Sequence, residues 1–200
     1  MLDNLGDVRV GQGKLQDALD AYQQDLAIAK RVTEQDKSNL GWQRDLSVSY
    51  DKVGNVLVAQ GKLQDALDAY QQSLQIRQTL VEQDNSNSGW QRDLSVSYNN
   101  VGDVRVAQGK LQDGLDAYQQ GLAIASRLAE QDKSSSGWQR DLAVSYERVG
   151  NALVTQGKLQ DGLDAYQQGL AIASRLAEQD KSNSGSQRDL AVIYNKVGDA

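Results

Sequence analysis

The sequence has 200 residues, no Cys, His, Pro or Phe, and a formal net charge of −6 at pH 7. Without Cys and His it has no disulfide, no thiol chemistry, and neither the commonest general base nor the commonest metal ligand, so we expect no metal and no cofactor. The acidic balance argues against nucleic acid as a partner, because phosphates are bound by basic surfaces.

The first residues, MLDNLGDVRV, show neither the basic nor the apolar part of a secretory signal. Nowhere in the sequence do about 18 apolar residues follow one another, as a membrane-spanning helix requires. We therefore expect a soluble, cytoplasmic protein that does not enter a membrane.

Two short phrases recur along the whole chain with the same period. GKLQD begins at Gly13, Gly61, Gly109 and Gly157, and QRDL begins at Gln43, Gln91, Gln139 and Gln187, so both repeat every 48 residues. This period predicts a single repeat domain over residues 1–200, with about four copies and boundaries near residues 42, 90, 138 and 186. Both ends fall inside a copy, as in a fragment of a longer protein or an engineered repeat protein.

Each copy contains two amphipathic helical patterns. In Trp42–Gln60 the apolar residues follow the spacing of one helix face, namely Leu46, Tyr50, Val53 and Leu57. Gly61 is predicted to end this helix, since glycine readily takes the positive φ of a helix C-terminus. Lys62–Gln83 has the pattern of a second helix, and the polar stretch Asp84–Gly89 is predicted to form the loop to the next copy.

The short break between the two helices determines the fold class. Two helices joined by a single residue must be antiparallel, and such a hairpin needs neighbours to bury its apolar surface. The pattern therefore predicts an all-α solenoid of stacked antiparallel hairpins, without a β-strand.

Four residues of the second copy, Gly54, Gly61, Ala66 and Tyr70, resemble the signature of the tetratricopeptide repeat (TPR). The tyrosine recurs in the other copies as Tyr22, Tyr118 and Tyr166. The copies are longer than the family's usual repeat of about 34 residues. Together with YNNVGDV at residues 98–104, this length resembles the long repeats of kinesin light chain. The resemblance implies a right-handed superhelix with a concave groove that binds other proteins.

In the family, one face of the first helix of each hairpin lines the concave groove. The resemblance implies that the residues at the matching positions of this sequence line the same groove, namely Asp51, Asn55, Asn99, Asp103, Glu147, Asn151, Asn195 and Asp199. The same row begins with Asp3, Asp7 and Val10, and Val58, Val106 and Val154 lie beside it. Asparagine both donates and accepts hydrogen bonds, so the row can bind the backbone of an extended peptide. Its acidic members favour a peptide that carries Lys or Arg.

Two motifs resemble ligand-binding loops but lack essential residues. GQGK at Gly11–Lys14 lacks the earlier glycine and the Ser or Thr of a phosphate-binding loop, since Val8 and Leu15 stand there. The loops between copies match the first half of a calcium-binding loop, but the position of its bidentate Glu holds Ser95, Ala143 or Ala191. We expect a hairpin turn and solvated loops at these places.

The residues that recur once per copy are predicted to be structural. Trp42, Trp90 and Trp138 stand at the start of a helix, where we expect them to pack on the end of the preceding helix. The four repeat tyrosines are predicted to lie in the interior. Inside the second helices, Gly114, Gly121, Gly162 and Gly169 either permit close helix approach or have no role.

The favoured function is a protein-interaction scaffold whose groove binds a peptide segment of a partner protein, and the acidic residues favour a basic segment. The alternative is a structural module that associates end to end, because both ends of the array lack a polar capping helix. An enzyme is not expected, because any catalytic constellation would recur nearly unchanged in every copy.

Overall fold

The computed structural model describes residues 2–199, and the side chains of residues 5–198. This part of the chain contains the helices α1 (Leu2–Gly11), α2 (Leu15–Gln35), α3 (Leu40–Ala59), α4 (Leu63–Gln83), α5 (Ser88–Ala107), α6 (Leu111–Gln131), α7 (Ser136–Thr155), α8 (Leu159–Gln179) and α9 (Ser184–Asp199). No strand occurs among the described residues. The all-α fold predicted from the sequence is confirmed.

The helices belong to two compact units, Met1–Gln108 and Gly109–Ala200. In the first unit, α1 to α4 each pack against the next helix, ending with α5, and in the second unit α6 to α8 each pack against the next helix, ending with α9. Within each unit, short turns join successive helices, so neighbouring helices are antiparallel. The predicted stack of helical hairpins is therefore present within each unit, while a single domain over residues 1–200 stays a prediction.

The turn inside each hairpin is closed by a glycine. Gly61 has a φ of 73°, and the same positive φ recurs at Gly13, Gly109 and Gly157. The Gly61 backbone N–H donates to the Val58 carbonyl (2.9 Å) and the Lys62 N–H donates to the Leu57 carbonyl (2.9 Å). This pair of hydrogen bonds is a Schellman motif, which ends the first helix as the sequence predicts.

The loop between hairpins is shorter than the predicted stretch Asp84–Gly89, because α5 already begins at Ser88. The Asn87 side chain accepts a hydrogen bond from the Trp90 backbone N–H (3.1 Å) and so caps the helix start. In the loop, Asp84 Oδ1 accepts from the Ser86 N–H (3.0 Å) and the Ser86 hydroxyl (2.6 Å). These bonds lower the pKa of Asp84, the side-chain bond most.

The recurring phrase QRDL joins consecutive copies. Arg44 of α3 pairs with Asp93 of α5 (2.6 Å), and Arg140 of α7 pairs with Asp189 of α9 (2.5 Å). The glutamine of the phrase anchors a neighbouring main chain, as Gln139 Nε2 donates to the Ala129 carbonyl (2.9 Å). The recurrence of the phrase therefore has a structural reason, since Gln, Arg and Asp side chains of the phrase form bonds where consecutive copies of a unit meet.

The repeat tyrosines are buried, as predicted. Tyr22, Tyr70 and Tyr166 each pack against a glycine of the preceding helix, and a Cβ at Gly54 would lie only 2.5 Å from Cε1 of Tyr70. At Gly162, a Cβ would lie 2.5 Å from Cγ2 of Val154, so this helical glycine does permit close approach of α7 and α8. Trp42 and Val32 of the preceding helix line the same hollow between α2 and α3, and Trp42 remains 37% exposed.

Candidate peptide-binding groove

The predicted groove residues occupy two positions on the first helix of each hairpin, four residues apart, so both positions lie on one helix face. In the first unit these are Asp51 and Asn55 on α3, and Asn99 and Asp103 on α5. In the second unit they are Glu147 and Asn151 on α7, and Asn195 and Asp199 on α9. The side chains of Asp3 and Asp199 lie outside the described part of the chain.

The earlier of the two positions is buried in the first unit. The Asp51 side chain is only 13% exposed and its Oδ2 pairs with Arg77 Nη2 of α4 at 2.6 Å. Asn99 is buried as well. The sequence leads us to expect that Asp51 attracts a Lys or Arg of a partner, whereas in the structure an arginine of the same chain already occupies its carboxylate.

Arg77 links three helices from the interior of the first unit. Besides the ion pair with Asp51, its guanidinium donates to Ser47 Oγ of α3 (3.1 Å), Ser97 Oγ of α5 (2.7 Å) and the Asp93 carbonyl (2.9 Å). Burial raises the pKa of Asp51, and the Arg77 charge and the nearby Ser73 hydroxyl oppose this effect without cancelling it. This polar cluster therefore contributes to the stacking of hairpins and removes Asp51 from the groove surface.

The later position is exposed in the first unit and is fixed by the repeat tyrosines. Tyr70 Oη donates to Asn55 Oδ1 (2.7 Å), and Tyr22 Oη donates to Asp7 Oδ1 (2.6 Å). Because Asn55 Oδ1 accepts from the tyrosine, its amide Nδ2 is the donor group that remains for a ligand. Burial raises the pKa of Tyr70, and the charges of Asp51 and Asp103 raise it further, so the phenol stays protonated and keeps donating at neutral pH.

Two pockets of the first unit contain these residues. The first pocket has a volume of about 300 Å³ and is lined by Asp7, Val10, Leu15, Tyr22, Lys52, Asn55, Val56 and Ala59. The second has a volume of about 220 Å³ and is lined by Asn55, Val58, Leu63, Tyr70, Asn100, Asp103, Val104 and Ala107. Every residue of the first pocket has its counterpart 48 positions later in the second. The structure thus brings Asn55 and Asp103 together, and Asn55 belongs to both pockets.

In the second unit, side chains at the same positions hydrogen-bond to one another and to the repeat tyrosine. Tyr166 Oη donates to Asn151 Oδ1 (2.9 Å), and Asn151 Nδ2 donates to Glu147 Oε1 (3.5 Å). Both Glu147 and Asn151 are half-buried, whereas Asn195 is exposed.

Sequence reasoning missed two components of this surface. Arg77 stands where the other copies have an alanine, namely Ala29, Ala125 and Ala173. This exception is the sequence feature that could have identified Arg77 as a special residue. The apolar walls come from residues far apart in the sequence, such as Leu63 at the start of α4 and Ala107 at the end of α5. Only their three-dimensional proximity identifies them as part of one pocket.

Within the described residues, no group of three or more Asp, Glu, His or Cys side chains is arranged to hold a metal ion. The loop carboxylates that resemble a calcium loop instead accept hydrogen bonds from a serine two residues later, as at Asp132 and Ser134. None of the described helices is both long and apolar enough to span a bilayer.

Comparison with known proteins gives a family match over part of the chain and similar folds over nearly all of it. Residues 1–79 match the tetratricopeptide repeat family model, and a comparison with curated proteins gives no match. Among solved structures, BtubC (BKLC) from P. vanneervenii is 20% identical with a TM-score of 0.70, covering 99% of this chain and 72% of its own. A Podosopora anserina protein, a candidate kinesin light chain with nearly identical TPR-like repeats, is 19% identical with a TM-score of 0.67, covering 99% and 86%. At this identity the two structures establish the fold.

Proposed function

We propose that the chain is a tetratricopeptide-repeat protein, which the family match over residues 1–79 supports, and that it binds a peptide segment of a partner protein along the first helices of its hairpins. A role in protein interaction, or as a repeat scaffold, is general for this fold. The proposal adds the place of binding, which is the surface formed by the later groove positions, Asn55 and Asp103 in the first unit. The later positions of the second unit are Asn151 and Asp199, and the proposal also includes Glu147 and Asn195 at the earlier positions of that unit.

The observation that supports this proposal is the pair of pockets in the first unit, which follow each other in register. Each combines an apolar base with an amide or carboxylate at its rim, the usual composition of a site that binds a ligand and fixes its orientation. Asn55, with Oδ1 held by Tyr70, offers its Nδ2 to a peptide carbonyl. A basic side chain of the ligand would pair with Asp103 rather than with Asp51, because Arg77 already neutralises Asp51.

The proposed partner is a protein and not a nucleic acid. The proposal includes no cofactor and no catalysis by this chain. The acidic net charge of −6 supports the exclusion of nucleic acid. A cytoplasmic location is part of the same proposal, and its support is the acidic composition of the sequence.

The test is a titration of the chain with fluorescein-labelled synthetic peptides, neutral and basic, followed by fluorescence anisotropy. We expect saturable binding that Asn55→Ala and Asp103→Ala both weaken. The matched control is Asn85→Ala, which removes an exposed asparagine from the loop before α5. Circular dichroism checks that each variant is folded. If no peptide binds, or if the Asn55→Ala, Asp103→Ala double variant binds as well as the parent, the proposed function is wrong.

A further inference from the structure

The two pockets of the first unit repeat the same apolar surface one copy apart. In each, a valine of the first helix, a leucine at the start of the second helix and the repeat tyrosine face the following hairpin. Val10 and Val58 remain 43% and 40% exposed. A single exposed valine needs no explanation, but two at the same register, each in a pocket with the same neighbours, form a repeated apolar site.

The size of the pockets limits what each can hold. Their volumes of about 300 and 220 Å³ lie at or below the lower end of the roughly 300–1,000 Å³ of small-molecule sites. Each pocket therefore accommodates one apolar side chain rather than a helix or a cofactor. Because both pockets lie along consecutive hairpins, a ligand that fills both must run across the hairpins and present two side chains.

The charges at the two rims differ. At the first pocket, Lys52 Nζ lies 3.9 Å from Asp7 Oδ2 and 5.4 Å from the centre of the Tyr22 ring, so opposite charges meet there. At the second pocket the equivalent residues are Asn100 and Asn55, and Asp103 contributes the negative charge. The second rim is therefore the more acidic of the two, and a basic group of the ligand is favoured beside it.

We propose that the ligand of the first unit is an extended peptide segment with two apolar anchor side chains, one in each pocket, and a Lys or Arg next to the anchor in the second pocket. This inference rests on the proposed function and specifies its ligand class. Asn55 lines both pockets, so the pockets adjoin, and a separation on the order of 10 Å, about one packing distance between helices, is expected between them. An extended chain advances about 3.3 Å per residue, and the anchors are then about three or four residues apart.

The probes are fluorescein-labelled peptides of about twelve residues, made of Ser and Gly with two leucines at separations of two to six residues. Matched peptides carry one leucine or none. We expect the best two-leucine peptide to bind about tenfold more tightly than a one-leucine peptide, because a second apolar side chain leaves water. Lysine next to one of the leucines should strengthen binding, and this gain should fall as the salt concentration rises.

Variants of the chain assign each leucine to a pocket. Val10→Asp and Val58→Asp should each reduce binding of the two-leucine peptide to the level of the one-leucine peptide. Val58→Thr keeps the shape of the side chain and should act in the same direction if the aspartate variant fails to fold. Val96→Asp is the matched control, since Val96 is also 40% exposed but lines neither pocket. It should leave affinity unchanged.

The outcomes separate this inference from the proposed function. If peptides bind equally well with and without leucine, and Asn55→Ala still weakens them, the two-anchor ligand is wrong and the groove remains the binding place. The same holds if two leucines give no gain over one at any separation, or if the valine variants have no effect. If no peptide binds under any condition, the proposed function itself fails.

Discussion

The place where three consecutive helices meet is filled by polar groups in the first unit and by apolar groups in the second. In the first unit, Arg77 lies there with Ser47, Asp51 and Ser97. The equivalent residues of the second unit are Ala173, Ala143, Glu147 and Ile193, and three of them form a buried apolar cluster, namely Ala143, Ala173 and Ile193. The same backbone arrangement therefore tolerates two different kinds of interior.

A shift of one arginine by two positions accompanies this difference. The other copies carry an exposed arginine at the equivalent of Thr79, as Arg31, Arg127 and Arg175, whereas the second copy carries Arg77. Two residues turn about 200° around an α-helix, so the side chain moves from the surface to the interior. Burial of the charge then requires the partners on α3 and α5.

The largest expected effect is on Arg77. We predict that Arg77→Ala lowers the free energy of unfolding by about 3–5 kcal/mol, because Asp51 is left as a buried carboxylate without its cation. Urea denaturation followed by circular dichroism measures the change. The matched control is Arg31→Ala, an exposed arginine of α2, which should change the stability by less than about 0.5 kcal/mol. A loss at Arg77 as small as that of the control would contradict a structural role for the ion pair.

A second variant replaces the polar interior of the first unit with apolar residues like those of the second unit. The combined change Ser47→Ala, Asp51→Asn, Arg77→Ala and Ser97→Ile removes the charges and supplies apolar groups at the same place. We predict that it recovers most of the stability lost in Arg77→Ala, since well-packed apolar residues replace buried ion pairs at little cost. The same urea experiment tests this. A quadruple variant no more stable than the single one would mean that the two interiors are not interchangeable.

The contact between glycine and tyrosine should behave alike in both units. A Cβ at Gly54 or Gly150 would lie 2.5 Å from the ring of Tyr70 or Tyr166. We expect Gly54→Ala and Gly150→Ala each to destabilise the chain by about 1–3 kcal/mol through overpacking, measured as before. Gly11→Ala is the control, because a Cβ there meets no atom within 4 Å. Unequal losses at the two glycines would show that the hairpins differ in this contact.

The smallest effect is a difference in titration between buried and exposed carboxylates. Burial raises the pKa of Asp51, so its contribution to stability is largest below the unfolded pKa, about 3.9, and is lost as the pH rises through the folded value. The Ser86 side chain and N–H lower the pKa of Asp84, so its contribution is present above about 3.9 and is lost as the pH falls. Carboxyl NMR shifts against pH should show Asp51 titrating above Asp84.

Two variants check the assignment of these titrations. Ser86→Ala should raise the pKa of Asp84 alone, because it removes the hydroxyl that donates to Asp84. Arg77→Ala should raise the pKa of Asp51 further, because the Arg77 charge opposes the effect of burial. An Asp51 that titrates below the loop aspartates would contradict its burial.

The sequence predicts the hairpins well because their determinants are local. Gly61 ends a helix through its own conformation and the backbone of the preceding turn, and the apolar spacing of α3 and α4 is visible in any one copy. The predicted loop was too long by two residues at its end, since Asn87 captures the Trp90 N–H and starts the helix early.

The groove was harder to predict because its members interact across hairpins. The sequence places Asp51 and Asn55 on the same helix face, but it cannot tell that Arg77 reaches Asp51 while Tyr70 holds Asn55 at the surface. The apolar pockets share this property, because each draws its walls from three helices. A pattern read within one copy identifies the candidates, and the packing between copies decides which of them a ligand can reach.

The most direct test of the account is an NMR titration of the isotope-labelled chain with the tightest peptide of the two-leucine series. We predict that the largest shift changes occur at the side-chain amide of Asn55 and at the backbone amides of Val10, Val58 and Asp103. Shift changes concentrated instead in the loops between hairpins, or on the exposed face of α4, would contradict the assignment of the groove as the binding surface.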